Sequence, residues 1–144
     1  MAVELGFAPL LADDILLLTL EMTLGELPLI FSLPVEQILN LGPRLIQRGA
    51  QAISVSTPRG ALPRGRGEGL GASGLITGRL YGPSTFPRAL ETVYSAAKLG
   101  LPVIGAGGVW SQENAEAMLS AGALAVQVDT GLWNPNSGFS VPAP

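Results

Sequence analysis

The amino-acid sequence predicts an α/β protein built on a parallel sheet. Short apolar runs alternate with longer stretches of helical periodicity, the order that gives parallel strands joined by right-handed helical crossovers. Glycines punctuate the ends of these runs. A length of 144 residues with 47% hydrophobic composition is enough for one packed core of ordinary size.

Each element has its own signal. Val3 to Phe7 is the first strand. Pro9 opens a helical stretch to about Thr23, whose leucines and Ile15 are too dense to face solvent entirely, and Gly25 and Pro28 mark its end. Leu29 to Leu33 is an apolar run of the kind found in a strand buried on both faces. Val35 to Arg48 follows as a helix with Ile38, Leu41, Leu45 and Ile46 on its buried face. Gly42-Pro43 weakens or kinks that helix, and Gly49 caps it. Ala52 to Ser56 is the next strand. Residues 84–99 form a helix, Pro102 to Gly105 a strand, and Ser111 to Ala121 a helix closed at Gly122. Ser111 is the N-cap, and Glu113 in the first turn suits the helix macrodipole. Ala125 to Val128 is the last strand. The structured unit is expected over residues 1–133, with 134–144 as a loose tail.

Composition excludes several kinds of chemistry. There is no Cys and no His, so no disulfide framework, thiolate nucleophile, imidazole base or zinc site is expected, and no metal site is assigned. Catalysis would have to rest on carboxylates, Arg, Lys, hydroxyls, backbone amides or a bound cofactor. The formal charge of −3, from 8 Lys+Arg against 11 Asp+Glu, lacks the basic footprint of a nucleic-acid binder. The most apolar window, Ile15 to Leu33, contains Glu21, Gly25, Glu26 and Pro28, which argues against a membrane span. The opening Met1-Ala2-Val3-Glu4 is unlike a signal peptide, so the expected location is the cytoplasm.

One segment breaks the alternation. Thr57 to Gly82 is a Gly-rich loop carrying Arg59, Arg64, Arg66 and Arg79. A loop this long is either a solvated excursion or a lid over an anionic ligand at the strands' carboxyl ends, and the sequence leans to the lid.

The sharpest local motif is Pro102-Val-Ile-Gly-Ala-Gly-Gly-Val-Trp110. Glycines at a strand's carboxyl end either form a tight turn or let backbone amides cradle a phosphate before the next helix. The following unit, Ala121-Gly-Ala-Leu-Ala-Val-Gln-Val-Asp-Thr-Gly131, also ends in a small polar residue with free amides. Two consecutive strand ends of this kind favour a shared phosphate pocket, as after strands seven and eight of (β/α)₈ barrels. Asp129 would repel a phosphate unless turned away or paired with an Arg such as Arg79 or Arg88.

Five motifs in order carry a family resemblance: Pro28-Leu-Ile-Phe-Ser32, Gly49-Ala-Gln-Ala-Ile-Ser-Val-Ser-Thr57, Gly78-Arg-Leu-Tyr-Gly-Pro83 with Ala89-Leu90, Leu101-Pro-Val-Ile-Gly-Ala-Gly-Gly-Val109, and Ala121 to Thr130. Together they resemble the carboxyl-terminal half of the dihydroorotate dehydrogenase family, FMN-dependent (β/α)₈ barrels. The likeness spans residues 3 to about 133 and implies a partial TIM barrel of about five parallel strands, corresponding to strands 4–8. It implies FMN as cofactor, with its phosphate on Gly107, Gly108, Thr130 and Gly131. Ser32, Ser56, Thr57 and Gly82 complete the implied cofactor-binding set.

The resemblance also shows departures. The family's flavin-side lysine is Ser32 here, its Asn-Thr pair is Ser56-Thr57, and its strand-four Asn is Gly6. The loop that should carry a Cys or Ser base reads Ala8-Pro9-Leu10, so no catalytic residue is assigned.

A full barrel needs about 250 residues. The expected function is therefore an FMN-dependent oxidoreductase of the dihydroorotate-to-orotate type, serving pyrimidine biosynthesis and incomplete or inactive alone. The alternative is a non-catalytic half-barrel that binds FMN or another phosphate ligand and needs a partner subunit. A small-molecule substrate is expected, with a homo-oligomer or the missing barrel half as partner.

Overall fold

The computed structural model describes residues 2–6, 27–63, 74–133, 135–136 and 138–139. Three strands open the described chain: β1 (Val3–Gly6), β2 (Leu29–Pro34) and β3 (Ala52–Ser56). A hairpin follows, β4 (Arg59–Pro63) and β5 (Leu75–Arg79), then β6 (Val103–Gly105) and β7 (Ala125–Val126). The helices are α1 (Ile38–Gln47), α2 (Phe86–Lys98) and α3 (Gln112–Ser120).

The main sheet has the order β1-β2-β3-β6-β7, and every neighbouring pair is parallel. Strand order follows chain order without reversal, so each crossover steps the same way. A doubly wound sheet would reverse at a switch point. The helices pack on one face: α1 against β2 and β3, α2 against β3 and β6, α3 against β6 and β7. One layer of helices on a singly wound parallel sheet is an arc of a (β/α)₈ barrel. The arc is open, with β1 and β7 at its edges.

The strands' alternation separates two environments. Leu29, Phe31, Leu33, Ile53, Val55 and Val103 are buried against the helices in one core with Ile38, Leu41, Leu45, Val93 and Met118. On β2 the intervening Ile30, Ser32 and Pro34 are half-buried and face away from the helices. The expectation of a strand buried on both faces is corrected here: β2 fully buries only the face toward the helices, and its other face, on the concave side of the open arc, is half-buried. On β3 the concave-side Ala52 and Ser54 are buried as well, Ser54 fully.

Local signals explain most helix boundaries. Helix α1 starts at Ile38, after a turn over Val35 to Gln37, and runs through Pro43 to Gln47. Pro43 removes one i→i−4 hydrogen bond without ending the helix. A Cβ on the adjoining Gly42 would lie 3.1 Å from Leu101 Cδ1 and 3.8 Å from Ile53 Cγ1, so this glycine lets the helix close onto β3. Helix α2 begins in a 3₁₀ turn at Pro83–Thr85. Ser111 caps α3 as expected, its hydroxyl accepting from the Asn114 amide at 3.4 Å.

The Gly-rich segment is not a structureless loop. Arg59–Pro63 and Leu75–Arg79 pair antiparallel, Arg59 opposite Arg79 and Pro63 opposite Leu75. Hairpin pairing satisfies backbone groups that a bare loop would leave to water. The last strand is shorter than the sequence implied, although the Gln127 amide still donates to the Gly105 carbonyl at 2.8 Å. In the segment expected as a tail, Phe139 packs against the core, where its ring is drawn out of water. The helix expected over residues 9–23 lies outside the described residues. Among the described residues, no helix is long and apolar enough to cross a membrane.

Candidate functional site

The carboxyl ends of the parallel strands surround a cleft of about 730 Å³. Ser32 of β2, the residues from Val55 to Thr57 at the end of β3, the turn Ala106–Val109 after β6 and the segment 127–130 after β7 form its floor. Arg79 and Tyr81 reach it from the hairpin side, and Leu132 and Trp133 from the last 3₁₀ turn. Catalytic and binding groups in such folds belong at this end of the strands, because the βα loops converge there.

The turn after β6 is built by two left-handed glycines, Gly107 at φ +95° and Gly108 at φ +70°. A Cβ on Gly108 would come within 2.4 Å of the Phe86 amide nitrogen and 2.8 Å of Thr85 Oγ1. Glycine is therefore dictated here by backbone conformation and by the start of α2 pressing on the turn. Gly131 meets a similar constraint, since a Cβ there would lie 2.4 Å from the Val109 carbonyl oxygen. The two strand ends thus pack on each other, and Gly107, Gly108 and Thr130 come to line one wall of the cleft. Among the described residues, the amides of Gly107, Gly108, Thr130 and Gly131 donate to no other backbone group. Donors of this kind suit an anionic oxygen.

Ser32, Ser56 and Thr57 line the same cleft from the ends of β2 and β3. Thr57 Oγ1 is buried without a hydrogen-bond partner, a group that a ligand could satisfy. Gly131 is buried behind Thr130, and Gly82, at φ +126°, precedes the 3₁₀ turn before α2; neither lines the cleft. Arg88 does not partner Asp129, since it bridges Glu91 along α2 at 3.0 Å. Arg79 lines the cleft together with Asp129 and forms no ion pair among the described residues.

Glu4 was missed by sequence reasoning. It points into the concave side of the arc, where its Oε1 accepts from the buried Ser54 hydroxyl at 2.5 Å and its Oε2 from Gln127 Nε2 at 3.0 Å. An acid in a strand otherwise apolar, Val3-Glu4-Leu5-Gly6, was the available signal. Its partners, 50 and 123 residues away, left no local trace.

A family model described as dihydroorotate dehydrogenase matches residues 67–140, a span of 74 of the 144 residues. The chain belongs to the dihydroorotate dehydrogenase family. Within that family, it is 35% identical over 104 residues to the catalytic subunit of dihydroorotate dehydrogenase B (NAD(+)) from Petrotoga mobilis, covering 71% of this chain and 35% of the relative. It is 33% identical over 128 residues to the corresponding subunit from Geotalea uraniireducens, covering 87% of this chain and 41% of that protein. The chain thus spans less than half the length of these dihydroorotate dehydrogenases. Among solved structures, GMP reductase from Trypanosoma brucei, in complex with guanosine 5'-monophosphate, superposes with a TM-score of 0.52 at 15% identity. That match covers 88% of this chain and 25% of the reductase. It supports the fold alone, a partial TIM barrel within an otherwise dihydroorotate dehydrogenase sequence.

Proposed function

We propose that the chain supplies the cofactor-phosphate side of an FMN-dependent oxidoreductase of the dihydroorotate-to-orotate type, serving pyrimidine biosynthesis. The observation that carries this reading is the meeting of the two glycine-bearing strand ends in a single cleft that the hydroxyls of Ser32, Ser56 and Thr57 also line. Amides and a hydroxyl at Gly107, Gly108 and Thr130 would hold the phosphate, with Gly131 fixing the turn behind them and Gly82 setting the start of α2. Strand-end hydroxyls would hydrogen-bond the flavin edge. FMN, when bound, supplies hydride transfer, while the protein supplies position and electrostatics.

This chain's residues orient the cofactor more evidently than they move a proton. The family resemblance puts the base loop at Ala8-Pro9-Leu10, which lies outside the described residues and contains no group able to accept a proton. A second reading follows from that sequence and from the open arc: a non-catalytic half-barrel that binds FMN or a related phosphate ligand and completes its site with a partner subunit. The relatives' designation as catalytic subunits agrees with an assembly of more than one chain.

Anaerobic addition of dihydroorotate to the FMN-loaded chain separates the readings. Bleaching of the flavin absorbance supports the oxidoreductase. Bound FMN that dihydroorotate leaves oxidised supports the half-barrel, and failure to bind FMN removes the oxidoreductase and leaves only a half-barrel for another phosphate ligand.

A further inference from the structure

A smaller cavity of about 200 Å³ adjoins the main cleft and shares Ser56, Thr57 and Arg79 with it. The turn after β2 contributes Glu36 and Gln37, and the base of the hairpin contributes Arg59. Arg59 and Arg79 are direct cross-strand partners in β4–β5. Like charges at opposed positions repel. Neither guanidinium forms an ion pair among the described residues, although Glu36 stands on the same rim.

The same cavity shows a complementary defect. Gln37 Oε1 and Thr57 Oγ1 are both buried without a hydrogen-bond partner, and both residues line this cavity. Buried polar atoms are normally satisfied, so two orphans beside two cations that form no ion pair among the described residues mark a place where a polar ligand fits.

We propose that this cavity is an oxyanion subsite, in which Arg59 and Arg79 grip the carboxylate or phosphate group of a small ligand. A guanidinium presents parallel N–H donors that match either group in a bidentate fork, and one anion between two such forks removes their repulsion. The Thr57 hydroxyl adds a donor. Gln37 Oε1 accepts from an N–H or O–H beside the anionic group, and Glu36 at the rim favours that same donor end. Because Arg79, Ser56 and Thr57 also line the main cleft, a ligand anchored here extends its other end toward the cleft. The subsite takes in none of Gly107, Gly108 and Thr130, and it shares Ser56, Thr57 and Arg79 with the main cleft.

The test uses the full chain, ¹⁵N-labelled and saturated with FMN where FMN binds, titrated separately with succinate and with inorganic phosphate against a sodium chloride control of equal ionic strength. Expected are saturable amide shifts at Thr57, Arg59 and Arg79 with one or both anions. Succinate alone identifies a carboxylate site and phosphate alone a phosphate site; either supports the proposal. Arg59→Gln and Arg79→Gln should each weaken binding about tenfold or more, and Arg79→Lys should fall between, since it keeps charge but loses the fork. Both positions are on an exposed hairpin, so the fold is expected to survive, and the lysine variants serve if a glutamine variant does not fold. Shifts confined to Gly107–Thr130, no saturable shift with either anion, or unchanged affinity in the double glutamine variant would overturn it.

Discussion

Glu4 on β1 and Gln127 at the end of β7, at opposite edges of the parallel sheet, are joined by a hydrogen bond of 3.0 Å across the concave face. The same carboxylate accepts from Ser54 on β3, the central strand, whose side chain is fully buried. One acid therefore ties both edges and the middle of the arc, and Glu4 and Gln127 both line the cleft.

Replacing Glu4 should test that tie. Glu4→Leu strands the buried Ser54 hydroxyl and is expected to cost about 1–3 kcal/mol, the usual penalty for an unsatisfied buried group. Glu4→Gln keeps an acceptor for Ser54 and should recover most of the loss. Gln127→Ala removes only the exposed arm and should cost less than about 1 kcal/mol. Urea unfolding of the three variants checks the order; a Glu4→Leu variant as stable as the parent would show that Ser54 has another partner.

The glycine turn after β6 makes a ranked expectation. Gly108→Ala combines φ +70° with a Cβ 2.4 Å from the Phe86 backbone, whereas Gly107→Ala would meet only Ala89 Cβ at 3.3 Å. Left-handed backbone alone costs a non-glycine residue about 1–3 kcal/mol. Both variants should lose that much, and Gly108→Ala more, because the start of α2 must move. Denaturation midpoints read the stability and flavin titration reads the accompanying loss of affinity. Equal losses at the two positions would argue against the packing described for Gly108.

How much of this was legible in the sequence follows from the range of each signal. Parallel order, the Ser111 cap and the glycine strand ends rest on residues within a few positions of one another, and the structure has them. The β4–β5 hairpin was hidden because Gly60, Pro63 and Gly78 interrupt its alternation and no two-residue turn joins the strands. Gly42 read as a helix weakener, whereas its role depends on Leu101 and Ile53 in distant elements. The cleft's glycines, strand-end hydroxyls and Arg79 were visible in the sequence, but Glu4 and Tyr81 enter only through tertiary folding.

The start of α3 gives the pH dependence. The Ser111 hydroxyl hydrogen-bonds the Glu113 carboxylate and, with Glu113's own backbone amide, holds its pKa below the ordinary carboxylate value. A folded pKa lower than the unfolded one, about 4.3, means stability that is present above that value and lost as pH falls through the folded pKa. Glu113→Gln should therefore lose part of the acid-side slope of stability while changing little at neutral pH. Ser111→Ala should lose the same slope and about 1 kcal/mol more at neutral pH, the usual cost of an N-cap. Unfolding midpoints measured across the acid range decide; a steeper acid slope in Glu113→Gln would reverse the assignment.

The central claim is that two strand ends form one phosphate site, and a paired titration with FMN and riboflavin tests it most directly. The two ligands share the flavin ring and differ by the phosphate alone. Charge-assisted hydrogen bonds from the Gly107, Gly108 and Thr130 amides should make FMN bind at least about tenfold tighter, with the advantage falling as salt rises. Equal affinity for the two ligands, or no binding of either, would contradict the account.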